Sequence, residues 1–219
     1  MLENQKYIKE RISGGEGLHL DFKHSISDAK KIARSLVAFA NTEGGSLLIG
    51  VRDNGSIAGV RSEEEYYMIE TAAIMYCKPV VEFRHKNWNI NGMTILEIIV
   101  GRSENKPHYA PDTNDSYRAF IRKKDQNLVA PKVLVEVWKR QKKEFKGIKL
   151  KYDDVVEALF NEITLNGFIT KSHLTRLTGI RSYQADKLLS SLMLMDILDL
   201  DMTEHYTRYI FNETYKREF

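Results

Sequence analysis

Four side chains near the start of the chain have the right types to do chemistry together: Glu16, Asp21, Lys23 and Asp53. Asp21 and Lys23 lie two apart in "LHLDFK", an alternating run that reads as a strand, so both project from one side. On that reading Leu18, Leu20 and Phe22 face the core, while His19, Asp21 and Lys23 face water. A carboxylate beside a lysine suits phosphodiester cleavage. The carboxylate holds a divalent cation, and the ammonium offsets charge growing on the phosphate. Glu16, just upstream, and Asp53, at the end of "SLLIGVRDNG", would complete an oxygen ligand set suited to Mg²⁺ or Mn²⁺ rather than Zn²⁺. The same spacing also describes a solvated sheet face with a lateral ion pair worth well under about 1 kcal/mol. The residues alone leave both readings open.

Other chemistries find less support. "NTEGGSLLIG" is rich in glycine, but the chain has no G-x-x-x-x-G-K-[ST] phosphate loop, so it reads as a helix stop followed by a tightly packed strand. His85, His108, His173 and His205 show no metal-ligand spacing, and no Ser-His-Asp or Cys-His arrangement is apparent. Cys77, the one cysteine, sits on an apolar helix face and reads as a small buried hydrophobe.

Cations form a second candidate site. "KRQKKEFKGIKLK", Lys139 to Lys151, holds seven basic residues and one acid. Its Lys139, Arg140, Lys142 and Lys143 could neutralise phosphates, and they could equally be a solvated helix end and linker. "YRAFIRKK" adds Arg118, Arg122, Lys123 and Lys124, with Tyr117 and Phe120 available to stack bases or join the core.

The elements that position these residues read as α+β. A helix over Gln5–Ile12 precedes the strand "LHLDFK". A helix capped by Ser27 then runs through "SDAKKIARSLVAFAN" and is stopped by Gly44–Gly45. "SLLIGV" is a buried strand. A helix from Glu63 to Tyr76 follows, then two strands around the Asn91–Gly92 turn, a loop, the short strand "YRAFIR" and a helix opened by Pro131. From 152 onward the rhythm changes to three helices followed by a hairpin, the layout of a winged helix-turn-helix. The expected organisation is a domain over 1–135, a basic helix and linker over 136–151, and a winged helix-turn-helix over 152–219. In the last domain Arg181, Ser182, Tyr183, Gln184 and Lys187 begin the recognition helix.

Charge follows the same division. Residues 132–151 carry eight Lys/Arg against two Asp/Glu, whereas residues 152–219 carry seven against eleven. The acidic hairpin "LDLDMTEHYTRY" would be repelled by a duplex, so partner contact by the last domain stands beside DNA binding as a reading. A hydrophobic content of 42% and a charged content of 29% are sufficient for a buried core. The single cysteine, the polar opening "MLENQKYIKERIS" and strand-length apolar runs lead us to expect a cytoplasmic protein without membrane spans.

The run "GEGLHLDFK…IARSLVAFANTEGGSLLIGVRDNGSIAGV", with "KPHY…YRAFIRKKDQN" after it, resembles the Schlafen-like, AlbA-type DNA-binding domain of bacterial regulators. The resemblance covers roughly the first 130 residues in order. It implies a mixed sheet with flanking helices and a nucleic-acid partner, DNA before RNA, in a transcriptional regulator that often carries a C-terminal winged helix. It also implies two alternatives: a Mg²⁺- or Mn²⁺-dependent endoribonuclease with Glu16, Asp21 and Asp53 as ligands and Lys23 as helper, and an ATP-binding regulator. Two positions depart from the pattern: Gly17 stands where Ser or Thr is usual, and Asp21 where Glu is usual. A pseudo-palindromic DNA target would call for a homodimer.

Overall fold

Leu20 and Phe22 of β1 (Leu20–Lys23) face a core that also holds Leu48, Trp88, Ile90 and Ile95. The computed structural model describes residues 2–60, 62–142 and 147–216, in two compact units, Met1–Ala130 and Pro131–Phe219. In the first unit α1 (Leu2–Ser13) precedes β1, and α2 (Ala29–Asn41) carries the chain across to β2 (Gly45–Ile49), which pairs parallel to β1. A parallel pair requires such a crossover. Asp28 caps α2, its carboxylate accepting from the amides of Lys30 and Lys31. The cap is therefore one residue beyond the expected Ser27. At the far end Gly44 has φ of 78°, and a Cβ there would lie 2.8 Å from the Val100 carbonyl oxygen, so a side chain is excluded by both backbone and space.

α3 (Glu64–Thr71) continues through one wider turn, Ala72–Tyr76. β3 (Phe83–Ile90) and β4 (Met93–Val100) then form a hairpin around Asn91 and Gly92, both at positive φ as a tight hairpin turn demands. The four-stranded sheet has the order β1-β2-β4-β3, parallel only between β1 and β2. It is covered on both faces. Ile8 and Ile12 of α1 pack with Leu20, Phe22, Leu48, Trp88 and Ile95 on one side. Ile32, Leu36, Val37 and Phe39 of α2 pack with Leu47, Ile49, Leu96 and Ile98 on the other.

The run expected as one strand, "YRAFIR", is divided between two small pairings. β5 (Ala110–Pro111) pairs with β6 (Tyr117–Arg118), and β7 (Phe120–Lys123) pairs with β8 (Gln126–Val129). Ala119 lies between β6 and β7 and accepts the amide hydrogen bond of Ala130.

The second unit begins at Pro131. Its α4 (Lys132–Gln141) was expected to end one domain and start a linker, with the boundary at 135. Instead Val133 joins the apolar core of this unit, and the Arg140 guanidinium donates to Ser190 and Ser191 at 2.9 and 3.0 Å. The reason is amphipathicity: Val133, Val137 and Trp138 lie at helical spacing and are buried. α5 (Asp154–Asn166) is capped by Asp153 and α6 (Lys171–Thr178) by Thr170, and each ends at a left-handed glycine, Gly167 and Gly179. α7 (Ser182–Leu194) follows, then the hairpin β9 (Leu198–Met202) and β10 (Thr207–Phe211), and a final turn, α8 (Glu213–Lys216). Leu159, Ile163, Leu174, Ala185, Leu189 and Tyr209 form the centre of this core. Among the described residues no helix is long and apolar enough to cross a membrane.

Candidate functional site

Asp21 is the centre of a charged cluster, but not a wet one: only 4% of it is exposed. The expectation of a solvated outer face fails because β1 is covered on that side too, by α2 and by the β7–β8 hairpin. Arg122 of β7 reaches across with its guanidinium and is itself 2% exposed. Its Nε donates to the Gly17 carbonyl at 3.1 Å, Nη1 to Asn127 Oδ1 at 3.1 Å, and Nη2 to the Leu20 carbonyl at 3.1 Å and Asp21 Oδ1 at 3.2 Å. The other Asp21 oxygen pairs with the Lys23 ammonium at 2.8 Å, and that ammonium also donates to the Phe22 carbonyl at 2.7 Å. Ser35 of α2 lies 3.5 Å from Asp21 Oδ2 and accepts from Asn127 Nδ2 at 2.9 Å.

Glu16 joins this cluster. Its Oε1 accepts from the Phe22 amide at 2.7 Å, and its carboxyl also hydrogen-bonds Asp21. Burial first, and then the bond to Asp21, push the Glu16 carboxyl above its ordinary value, against the opposing pull of the Phe22 amide and Lys23. Burial acts against the Asp21 charge as well. There the Lys23 charge, the hydrogen bonds from Glu16 and Lys23 and the Arg122 charge outweigh it and hold the carboxyl below its ordinary value.

Asp53 does not complete the group. It lies in the turn after β2 and lines a cavity of about 420 Å³ with Lys9, Ser13, Phe22 and Asn54. Among the described residues no group of three or more His, Cys, Asp or Glu side chains is placed to hold a metal ion. The donor chemistry agrees. Both Asp21 oxygens and Glu16 Oε1 already accept from N–H donors. An incoming Mg²⁺ or Mn²⁺ would have to displace the Lys23 ammonium and would meet the Arg122 guanidinium. The residues do not fit a divalent ion.

The cations expected on a nucleic-acid surface are distributed unevenly. Arg122 is interior, as described, and Arg140 is bound to Ser190 and Ser191. Arg118 is exposed and 3.5 Å from Asp112, and Lys123 and Lys124 are exposed at the β7–β8 turn. Tyr117 lies under the Lys78 ammonium, 4.1 Å from ring centroid to nitrogen, whereas Phe120 is core. Lys139 and Lys142 are exposed on and just after α4, and Lys143 lies outside the described residues. At the start of α7 the side chains of Arg181, Ser182, Tyr183, Gln184 and Lys187 are all exposed. Gln184 Oε1 accepts from the Arg181 amide at 2.9 Å and thereby caps the helix.

Residues 16–131 match the Schlafen, AlbA_2 family. The chain belongs to it. That match spans the charged cluster and the strands that hold it. Among solved structures, the chain is similar to the DIP2311 protein from Corynebacterium diphtheriae, with 19% identity and a TM-score of 0.43 over 74% of this chain and 32% of that one. It is also similar to the N-terminal domain of a RecG-related protein from Nitrosomonas europaea, with 16% identity and a TM-score of 0.39 over 66% of this chain and 94% of that one. The chain thus spans about a third of the length of the DIP2311 protein.

Sequence reasoning missed Ser35 and Asn127 and gave Arg122 the wrong surroundings. The available signal was Phe120–Ile121, an apolar pair beside a lone arginine, in a chain whose Asp21 alternates with core residues and so needs a counter-charge.

Proposed function

We propose that this Schlafen, AlbA_2 protein binds DNA as a transcriptional regulator in the cytoplasm, and that its second unit is a winged helix-turn-helix that reads the duplex. The observation that carries this reading is the first turn and a half of α7. Arg181, Ser182, Tyr183, Gln184 and Lys187 are exposed there, while Ala185 and Leu189 of the same helix are fixed in the core. A helix held on one face and lined with Arg, Gln and Lys on the other suits insertion into a major groove. The turn at Gly179 before α7 and the β9–β10 hairpin after it fit the same layout.

Grouping α4 with the second unit also changes the electrostatics. Residues 132–219 hold fifteen Lys/Arg against thirteen Asp/Glu, so the surplus of acid in 152–219 is offset within one folded unit. On the hairpin, Asp199 accepts from Asn212 and Glu204 pairs with His205. Arg208 lies 4.1 Å from the ring centroids of both Phe168 and Tyr206. Lys139 and Lys142, with Lys123 and Lys124 of the first unit, would meet phosphates, and the α7 side chains would carry any sequence preference.

The test is binding of the full chain to a duplex DNA library at several salt concentrations. An enriched sequence whose binding is lost in Arg181→Ala supports the reading. Equal recovery of all sequences by wild type and variant would reject it.

A further inference from the structure

We propose that Arg122 is the resident counter-ion of Asp21, so that the carboxylates resembling a metal site serve as a fixed cross-link instead. The sequence places Glu16 and Asp21 where their types suggest a divalent ion, and the structure supplies the positive charge from within. One guanidinium meets four acceptors on two stretches of chain: the Gly17 and Leu20 carbonyls and Asp21 around β1, and Asn127 on β8. Asn127 passes the connection to Ser35 of α2. The Arg122 amide donates to Thr42 Oγ1 at 2.8 Å, which fixes β7 against the end of α2. A planar fork can satisfy this spread of acceptors, and a lysine ammonium cannot.

A bound cation would serve the same purpose electrostatically. In both cases the buried Asp21 charge gains a partner and the loop after α1 is joined to the sheet. Arg122 does so without an exchangeable ion, and Lys23, whose side chain is 35% exposed, closes the remaining side. The β7–β8 hairpin is thus keyed to β1 by charge, although these two elements are not strand neighbours.

Two measurements on the full chain decide this. In the first, calorimetric unfolding and Mn²⁺ electron paramagnetic resonance are recorded on the wild type with Mn²⁺ or with a chelator. The expected result is an unchanged midpoint and only free Mn²⁺. A saturable Mn²⁺ signal that raises the midpoint and disappears in Asp21→Asn would overturn the proposal. In the second, Arg122→Gln and Arg122→Lys are compared by unfolding and by amide hydrogen exchange. Both should lower the midpoint of the first unit, by roughly 10 °C for Gln and less for Lys. Protection should be lost together at Leu20–Lys23 and Phe120–Lys123. Wild-type midpoints in both variants would overturn the assignment.

Discussion

The two units use arginine in opposite ways. In the first, Arg122 points inward, and its guanidinium is consumed by Asp21, Asn127 and two carbonyls. In the second, Arg181 is exposed at the start of α7, where its backbone amide donates to Gln184 Oε1 and its carbonyl accepts from the Gln184 and Ala185 amides. The lesson is that a basic residue's type says little about its partner until its surroundings are known. Arg122 lies in a strand covered on both faces, where an unpaired Asp21 would be costly. Arg181 precedes a helix whose apolar residues turn the other way.

The largest expected effect comes from breaking the inward arrangement. Asp21→Asn leaves Arg122 buried without its charge partner, and loss of one member of such a pair costs about 3–5 kcal/mol. Chemical denaturation should show that loss in the first unit, while DNA affinity at a temperature where the variant is folded stays as in wild type. An equal loss of affinity would show that the two regions are not separate in function. Next in size is the outward arrangement. Arg181→Ala and Lys187→Ala should each weaken binding to a preferred duplex, by about 1–3 kcal/mol where a base is read. Their unfolding free energies should stay within about 0.5 kcal/mol of wild type.

A smaller effect should follow from Arg140→Ala, which removes the hydrogen bonds to Ser190 and Ser191. Both hydroxyls still donate to the Lys187 carbonyl, so the expected destabilisation is about 0.5–1.5 kcal/mol, confined to the second unit and measurable by hydrogen exchange in α4 and α7. The pH response sharpens the contrast further. The lowered Asp21 value means that its stabilisation is present above the ordinary aspartate range and is lost as pH falls through the folded-state value. Glu16, raised, acts in the opposite sense: its contribution is present at low pH and fades as pH rises through its folded-state value. Asp21→Asn should therefore flatten the acid limb of the first unit's stability curve and leave that of the second unit in place. The smallest effect concerns Cys77, whose thiol burial pushes up to about 12. Alkylation at pH 8 should be negligible in the folded protein and rapid in denaturant.

Much of the architecture was legible in the residues because local signals agreed with the fold. Asn91–Gly92 required a hairpin, and Gly44–Gly45 ended α2. Two features were not legible, for different reasons. The division of "YRAFIR" into β6 and β7 depends on which distant strands are available as partners, and alternation cannot reveal that. The burial of Asp21 depends on Arg122, a hundred residues away in sequence, folding over the strand. Spacing correctly put Asp21 and Lys23 on one side of β1, and they do pair. It could not show that α2 and the β7–β8 hairpin would cover that side. The family resemblance placed Glu16 and Asp21 close together, as they are, but Asp53 lies in the turn after β2 and lines a cavity with Lys9 and Ser13.

The most direct test of the account is the salt dependence of duplex binding by the wild type and by the Arg181→Ala/Lys187→Ala double variant. Expected is a steep linear fall of log affinity with log salt for the wild type, and a slope shallower by about 2 for the variant if both side chains release a counterion. Identical slopes, or binding indifferent to salt, would contradict DNA recognition through α7.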